Sequence, residues 1–253
     1  MSITERHELI LKRLQENGRV TIQELSDLIK VSGVTIRKDL KLLEEKNLLF
    51  RTKGGASLTN PYTIERPIDE KAGIRSAEKQ RIAKAAISLI GENDSIMIGS
   101  GTTVFEVARC LHPTRQLTVI TPAAKVTLEL STRRNVQVLQ LGGLVRQNSS
   151  SVAGAYAERI LEEISCGILF LGVDGIDLDF GFSITNLEEA SLNQKMIECA
   201  QHVAILADSS KFGRRGLGKV CNFDQVHYVI TDDSAHPSVI QALEEKGIKV
   251  ITA

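Results

Sequence analysis

The chain has 253 residues, 42% of them hydrophobic and 25% charged, which is ordinary for a globular protein and suits two domains better than one. The formal net charge is zero, which excludes a strongly basic or acidic protein. The charge is unevenly distributed, however, because residues 1–58 carry 11 Lys+Arg against 8 Asp+Glu and the remainder carries 20 against 23. The basic surplus in the first part is weak support for contact with DNA.

Neither a secreted protein nor a metal protein is indicated. The first residues are charged where a signal peptide would be apolar, and no apolar run approaches the roughly eighteen residues of a membrane span. The four cysteines are widely spaced without a CxxC pair, which favours core residues over zinc ligands or disulfides. We therefore expect a cytoplasmic protein that does not enter a membrane and uses no metal or other cofactor.

The third helix predicted along the chain has an unusual polar face. Ser32 can accept hydrogen bonds from the free amides of the first turn, and the helix should continue to about Lys46. The two faces consist of Ile36, Leu40 and Leu43 on one side and Thr35, Lys38 and Lys41 on the other. The second face has the hydrogen-bonding groups and positive charge that suit a DNA groove, although an ordinary amphipathic surface helix has the same pattern.

The neighbouring segments favour DNA binding. Upstream, a capping box at Thr21 opens a short helix, and residues 30–33 make the tight connection of a helix-turn-helix at about residues 20–39. Downstream, residues 48–53 alternate loosely and then meet a pair of glycines at 54–55, which is typical of a strand entering a hairpin. Together these segments predict a winged helix-turn-helix.

Residues 1–57 closely resemble the DNA-binding domain of the DeoR family of bacterial transcription regulators. The matching positions are Arg6, Ile10 and Leu14, then Ser32 and Thr35 to Leu40, then Arg51, Gly54, Gly55 and Ala56. The resemblance implies double-stranded operator DNA as a partner, contacted by Ser32, Thr35, Arg37, Lys38, Lys41, Arg51 and Lys53. Within that set, Thr35 and Lys38 should face base edges, with Lys41 near them. Phosphate contacts are expected mainly from Arg37, Arg51 and Lys53.

After a predicted linker at 58–76, the chain alternates helices and short apolar strands. Strands are predicted at 95–98, 117–121, 136–141, 167–173, 203–207, 226–230 and 249–251. Helices are predicted at 78–90, 103–111, 123–131, 152–164, 186–200 and 237–245. This alternation indicates a mainly parallel sheet covered on both faces, whose ligands bind beyond the carboxyl ends of the strands.

Three motifs follow predicted strands. The loop Gly99–Thr103 opens a helix with glycines and hydroxyls that suit a phosphate, although a simple strand-to-helix turn has the same composition. Asp174 and Asp177 flank Gly175 and could hold sugar hydroxyls, act as acid and base, or cap turns. Lys211 offers a cation to a phosphate or carboxylate.

Residues 75–235 resemble the sensor domain of DeoR-family regulators, which is similar in fold to ribose-5-phosphate isomerase. The resemblance implies an effector site of Ser100, Gly101, Thr102, Thr103, Gly143, Asp174, Gly175, Asp177 and Lys211. For Gly143 two interpretations are open, since the glycine either brings backbone near the ligand or only allows close packing. The catalytic glutamate of the isomerase aligns with Gln194, and a glutamine cannot act as a general base at neutral pH. An enzyme carrying a winged helix is the alternative, and the missing base favours the regulator.

The sequence thus predicts an α/β protein with an N-terminal winged helix-turn-helix at 1–57, a linker at 58–76 and a mainly parallel α/β sensor domain of ribose-5-phosphate isomerase-like fold at 77–253. The expected function is a repressor of a carbohydrate-utilisation operon relieved by a phosphorylated sugar effector. One winged helix offers few base contacts, so we expect a homo-oligomer, either a dimer or a tetramer. A decayed sensor that serves dimerisation alone is a third interpretation, which the intact loop and Lys211 disfavour.

Overall fold

The computed structural model describes residues 2–45, 48–52, 54–58 and 67–253. The chain divides into two compact units, residues 1–64 and 65–253. Both units combine helices with strands, which confirms the predicted α/β class. Across the described ranges, no helix is long and apolar enough to cross a membrane.

The first unit is a winged helix-turn-helix. Its elements are α1 (Ile3–Asn17), β1 (Arg19–Thr21), α2 (Ile22–Ile29), α3 (Gly33–Glu45), β2 (Phe50–Thr52) and β3 (Gly55–Ser57). The strands form an antiparallel sheet in the order β1-β3-β2. The sequence analysis missed β1, because three residues are too few to display an alternating pattern.

Local signals in the sequence determine where these helices begin and end. The Ser2 hydroxyl accepts from the Glu5 amide at 3.2 Å, while the Glu5 carboxylate accepts from the Ser2 amide at 2.7 Å. Thr21 and Glu24 make the same reciprocal pair at the start of α2. Gly18 ends α1 in the left-handed region with a φ of 69°. The capping box predicted at Thr21 is therefore confirmed, and a second capping box and a glycine stop delimit α1 in the same way.

The apolar faces of the first unit meet in one core. Its members are Ile10, Leu14, Val20, Leu25, Ile29, Ile36, Leu40, Leu43, Leu49 and Ala56. Gly55 is required where β3 passes β1, because a Cβ there would lie 1.8 Å from the Val20 carbonyl oxygen. The core and this close approach hold the hairpin against the three helices.

The second unit is built on a seven-stranded sheet. The helices are α4 (Ile68–Ala72), α5 (Ser76–Ile87), α6 (Thr102–Cys110), α7 (Ala124–Leu130), α8 (Ala155–Leu161), α9 (Leu187–Glu198) and α10 (Pro237–Glu244). The strands are β4 (Ser95–Ile98), β5 (Leu117–Thr121), β6 (Val136–Gln140), β7 (Leu144–Arg146), β8 (Ser151–Ala153), β9 (Cys166–Gly172), β10 (Gly175–Asp177), β11 (Gly181–Ile184), β12 (Ala200–Leu206), β13 (Gly218–Cys221), β14 (Tyr228–Thr231) and β15 (Lys249–Thr252). The large sheet has the order β15-β14-β12-β9-β4-β5-β6, and every neighbouring pair is parallel.

Helices cover both faces of this sheet. One cluster of buried side chains includes Ile82 of α5 and Val107 of α6, and the other includes Leu161 of α8 and Met196 of α9. The central strand β9 is buried along nearly its whole length. The predicted parallel sheet with two covered faces is confirmed.

Three details of the second unit differ from the prediction. The helix predicted at 152–164 begins at Ala155, because residues 151–153 pair with residues 144–146 as a β-hairpin. The small sheet β10-β11-β13 was also missed, since each of its strands has three or four residues and starts with a glycine. Residues 67–76, which the sequence analysis placed in the linker, include α4.

Candidate DNA interface and effector site

The outer face of α3 carries the side chains that the sequence assigned to DNA. Ser32, Arg37, Lys38 and Lys41 are exposed, and Thr35 is half-buried. The Ser32 hydroxyl accepts from the Thr35 amide at 3.2 Å and so caps the helix as predicted. The apolar residues of α3 lie in the core on the opposite face. The cationic side chains therefore project away from the core, as a helix that enters a DNA groove requires.

Asp39 joins α3 to α1. Its buried carboxylate accepts from the Arg6 guanidinium at 2.8 Å (Nε) and 2.9 Å (Nη2), and His7 Nε2 lies 3.2 Å away. Burial alone would raise the pKa of Asp39, but the hydrogen bonds and charge of Arg6, helped by His7, outweigh it and hold the pKa below its ordinary value. A bidentate ion pair thus fixes the orientation of α3 relative to α1.

The wing contributes Arg51. Its amide donates to the Glu44 carboxylate at 2.8 Å, and its guanidinium lies 3.6 Å from the same group. The Arg51 side chain is 42% exposed, so a phosphate can still reach it. Lys53, the other predicted wing contact, lies outside the described residues.

In the second unit, three of the predicted effector motifs lie side by side. β4 leads into the loop Gly99–Thr103, β9 leads to Asp174, and β12 leads to Lys211. The three strands are neighbours in the order β12-β9-β4. Because parallel strands end at the same edge of a sheet, the motifs share one carboxyl edge.

Asp174 lies at the centre of that edge. One carboxylate oxygen, Oδ1, is 3.1 Å from Lys71 Nζ and 3.8 Å from Lys211 Nζ. The other accepts from the Thr185 amide at 3.2 Å and from the Thr185 hydroxyl at 2.9 Å. Burial alone would raise the pKa of Asp174, but the two lysines and Thr185 outweigh it and lower the pKa. Asp174 is therefore ionised at neutral pH.

Lys71, Lys79 and Lys211 form what we call the lysine cluster. Lys79 is 4% exposed, and its ammonium donates to the Lys71 carbonyl at 2.6 Å. Burial lowers its pKa from 10.5 to about 8, Asp208 opposes this shift, and the charges of Lys211 and Lys71 add to it. Burial also lowers the pKa of Lys211, against the charge of Asp174. Several partly desolvated cations held close together favour the binding of an anion.

Arg75 adds a fourth cation at the same edge. It lies between α4 and α5 in the left-handed region, with a φ of 53°. Its guanidinium donates to the Ser209 hydroxyl at 3.0 Å and lies 3.7 Å from Asp208 and 3.9 Å from Asp232. The edge therefore holds the cations Lys71, Arg75, Lys79 and Lys211 and the carboxylates Asp174, Asp208 and Asp232.

The predicted phosphate loop lies against the end of β9. The Gly99 amide donates to the Phe170 carbonyl at 2.9 Å, and Gly101 has a φ of 129° just before α6. Ser100, Gly101 and Thr102 are half-buried, and Thr103 is buried. No side chain caps α6 within the described residues, so the amides of its first turn are left to solvent or to an anion.

Asp177 and Gly175 have structural partners. The Asp177 carboxylate lies 2.8 Å from the Arg215 guanidinium and accepts from the amides two and three residues further on, at 3.0 and 2.9 Å. A Cβ at Gly175 would lie 2.3 Å from the Arg214 carbonyl oxygen, so glycine permits close packing there. In the described part of the chain, no ion pair or hydrogen bond joins Asp177 to the lysine cluster.

Gly143 follows a different strand from the other predicted effector residues. It follows β6, which is three strands from β9 in the sheet order. At ordinary strand spacing that separation is roughly 14 Å. Gly143 has a φ of 141°, which favours glycine, and a Cβ there would make an ordinary contact of 3.6 Å with the Val152 side chain of β8.

Comparison with known families covers both units. Residues 6–61 match the DeoR-like helix-turn-helix domain, and residues 74–233 match the DeoR C terminal sensor domain. The chain belongs to the DeoR family. A candidate transcriptional repressor of the aga operon from Escherichia coli O157:H7 is 36% identical to it over 98% of the chain and 93% of its own length. The glycerol-3-phosphate regulon repressor of Escherichia coli K12 is 29% identical over 99% of each.

Membership of the DeoR family makes this protein a DNA-binding transcriptional regulator and not an enzyme. Gln194, which aligns with the catalytic glutamate of the isomerase, is exposed and donates to the Lys219 carbonyl at 2.8 Å. Ribose 5-phosphate isomerase A from Neisseria gonorrhoeae is 18% identical over 54% of this chain and 53% of its own, with a TM-score of 0.38.

Sequence reasoning missed three cations of this DeoR-family sensor. Lys71 and Arg75 lie in the predicted linker. Lys79 lies in the helix predicted at 78–90, for which only the apolar side chains were considered. A signal existed for Lys79, because it lies three and four residues before Ile82 and Ala83 and therefore on the buried face of α5. A lysine on a buried stripe indicates a partner or a ligand.

Proposed function

We propose that this DeoR-family regulator represses a carbohydrate-utilisation operon and that a phosphorylated sugar or related polyol phosphate releases it from its operator. It would bind double-stranded DNA in the cytoplasm as a homo-oligomer. The lysine cluster beside the uncapped start of α6 is the observation that carries the effector half of this proposal. A relative named for the glycerol-3-phosphate regulon is consistent with an effector that contains a phosphate.

The charges at the carboxyl edge favour one orientation of such an effector. Asp174 is ionised and repels a dianion, but a carboxylate accepts well from sugar hydroxyls. The amides and hydroxyls of Ser100 to Thr103, together with Lys79, offer donors and positive charge to a phosphate. The phosphate should therefore lie toward the Ser100 loop and the polyol toward Asp174, with Lys211 close to both.

The DNA half of the proposal rests on the outer face of α3. Thr35 and Lys38 would read base edges, while Arg37, Arg51 and Lys53 would contact phosphates. Ser32 would help to position the start of the helix, and Lys41 would lie near the base-reading residues. A single recognition helix reads few bases, so operators are commonly bound by two copies related by two-fold symmetry.

Effector and DNA can influence each other only through a difference in effector affinity between the free and the DNA-bound protein. A hundredfold release requires about 2.7 kcal/mol of such coupling, at about 1.4 kcal/mol for each factor of ten. The segment before Lys71 joins the two units in the sequence, so we propose that an effector acts on α4 and through it on the DNA-binding unit.

Operator release can test the proposal directly. An operator isolated by selection from random duplexes would be labelled, and its anisotropy would be followed while sugar phosphates or the matching unphosphorylated sugars are added. The phosphorylated form should release the DNA and the unphosphorylated form should act weakly or not at all. Equal release by both would end the assignment of a phosphate to the loop Gly99–Thr103.

A lysine variant separates the two halves of the function. Lys211→Ala should leave operator affinity unchanged and raise the sugar phosphate needed for half-release at least tenfold, because it removes a cation from the site. Lys84→Ala is the matched control, since Lys84 is an exposed lysine on α5. If Lys211→Ala responds to the effector like the control, the lysine cluster is not the effector site.

A further inference from the structure

Strand β6 is an edge of the seven-stranded sheet and pairs on one side with β5. The Asn135 carbonyl and the Leu141 amide each make a hydrogen bond of 2.9 Å to β5. In an extended strand the N–H and C=O of one residue point to the same side, and those of the next residue point to the other side. The odd-numbered residues 135–141 therefore face β5, and the even-numbered residues face away from the sheet.

Three residues thus direct their backbone groups outward, namely Val136, Val138 and Gln140. Within the described ranges, no hydrogen bond is made by these outward N–H and C=O groups. Together they offer one donor and one acceptor at every second position, which is the pattern that another strand can bind.

The edge also lacks the features that keep natural strands from pairing. Sheet edges are usually protected by charged side chains, prolines or bulges. The five residues of β6 are Val-Gln-Val-Leu-Gln, with no charge and no proline. The opposite edge strand, β15, begins with the exposed Lys249. Only one of the two edges of this sheet is therefore protected by a charged residue of its own.

Large apolar side chains are exposed around β6. The exposed fractions are 40% for Leu139 in the strand, 81% for Leu144, 62% for Val145, 74% for Tyr156 and 74% for Leu128. The first four lie in β6, in the hairpin that follows it and at the start of α8. Leu128 lies on α7, which contacts the strand through Thr127 and Gln140. Exposed apolar side chains grouped in this way mark a protein contact surface.

We infer that two copies of this chain associate by pairing their β6 edges antiparallel about a two-fold axis at Val138. In that register Val138 lies opposite Val138 of the second copy, and Val136 lies opposite Gln140. The three outward residues of each copy would then exchange six hydrogen bonds, two for each opposed pair. The strand is its own complement, and without charged residues two identical copies do not repel each other.

This inference deepens the proposed function, because it rests on the expectation that operator binding uses more than one copy. It assigns the surface by which the copies meet, and that surface does not include Asp174, Lys211 or the loop Gly99–Thr103 at the carboxyl edge. Two joined sheets would make a continuous sheet of fourteen strands, seven from each copy.

Proline at the centre of the edge is the sharpest test. The Val138 N–H points away from β5, so Val138→Pro removes no hydrogen bond from the chain's own sheet while it removes the central donor and places a ring in the way. We expect the dissociation constant of the dimer to rise at least a hundredfold, measured by sedimentation of the full chain at micromolar concentration. Leu139→Lys should also weaken association, because it puts a charge on the edge. The control is Leu217→Lys, at a leucine 59% exposed elsewhere on this unit, which should sediment like the unaltered chain.

Hydrogen exchange on the unaltered chain keeps the inference testable even if the proline variant fails to fold. The amides of Val136, Val138 and Gln140 should exchange slowly, although they have no partner within their own chain. Fast exchange at these positions in a protein that sediments as a dimer, or unchanged association in both edge variants, would overturn the inference. So would a chain that remains monomeric, or a control variant that dissociates equally.

The proposed effector and the proposed β6 interface can be refuted independently of each other. Val138→Pro should bind a sugar phosphate as the unaltered chain does, measured by calorimetry, because β6 is three strands from β9. An unaltered chain that dimerises through β6 but binds no sugar phosphate would contradict the proposed effector and leave the interface intact.

Discussion

Replacing Lys79 by methionine should stabilise the second unit at neutral pH, although most buried substitutions destabilise a protein. Lys79 is 4% exposed, and its burial lowers the pKa from 10.5 to about 8. Below pH 8 the ammonium is charged in both the folded and the unfolded chain, so the folded chain bears the full cost of holding a charge out of water. Methionine fills a similar volume without that charge.

The size of the effect follows from the two pKa values. Lowering the pKa from 10.5 to about 8 corresponds to about 3 kcal/mol, at about 1.4 kcal/mol for each factor of ten. Methionine also loses the hydrogen bond to the Lys71 carbonyl, which is worth about 1 kcal/mol. The free energy of unfolding should therefore rise by about 2 kcal/mol at pH 7.

The pH dependence of the free energy of unfolding tests independently whether Lys79→Met is stabilising. Between pH 8 and pH 10.5 the unfolded chain binds more protons at Lys79 than the folded chain does, so the stability of the unaltered chain rises with pH in that window. The difference in stability between Lys79→Met and the unaltered chain should therefore become smaller between pH 7 and pH 9.5.

Urea unfolding followed by far-ultraviolet circular dichroism suits a chain without tryptophan. Lys84→Met is the matched control, because Lys84 is exposed on the same helix and should change stability little at either pH. A Lys79→Met variant that is less stable than the unaltered chain at pH 7, or a gain that does not depend on pH, would refute the reasoning.

Three further predictions concern the DNA-binding unit. Asp39→Asn leaves the Arg6 guanidinium without its counter-charge and should destabilise the first unit, seen as faster hydrogen exchange in α1 and α3. Gly55→Ala would place a methyl group 1.8 Å from the Val20 carbonyl oxygen, so operator binding should be lost while circular dichroism of the second unit is kept. Lys38→Ala should cost roughly 1–3 kcal/mol in operator affinity and relax specificity at one base pair, and unchanged affinity would show that our orientation of α3 is wrong.

Much of the fold could be predicted because its signals are local. The capping box at Thr21 and the continuous apolar strands each act over a few residues, and the structure agrees with them. The strands that were missed are short and rich in glycine, and they exist through pairing with distant segments. β10 and β13, for example, both pair with β11. No pattern within three residues reveals such a partner.

The candidate site could be predicted in part for the same reason. The loop Gly99–Thr103, Asp174 and Lys211 follow strands, and the rule that parallel strands end at one edge brings them together. Lys71 and Lys79 reach that edge from helices that precede the sheet in the sequence, 103 residues before Asp174 in the case of Lys71. Gly143 was included on family resemblance alone, and it follows β6, which is three strands from β9 in the sheet order.

The energies of these contacts suggest where the coupling between effector and DNA resides. The ion pair between Lys71 and Asp174 is partly exposed, at 30% and 17% of the two side chains, and such pairs contribute about 0–1 kcal/mol. Breaking it cannot supply the roughly 2.7 kcal/mol that a hundredfold release needs.

Lys79 is held charged at a cost of about 3 kcal/mol, which a bound phosphate would relieve. Since the Lys79 ammonium donates to the carbonyl of Lys71 near the end of α4, we expect a change at Lys79 to act on the helix that follows the segment joining the two units. An effector that lowers operator affinity a hundredfold should therefore lose most of that effect in Lys79→Met and retain most of it when Lys71 is replaced by methionine.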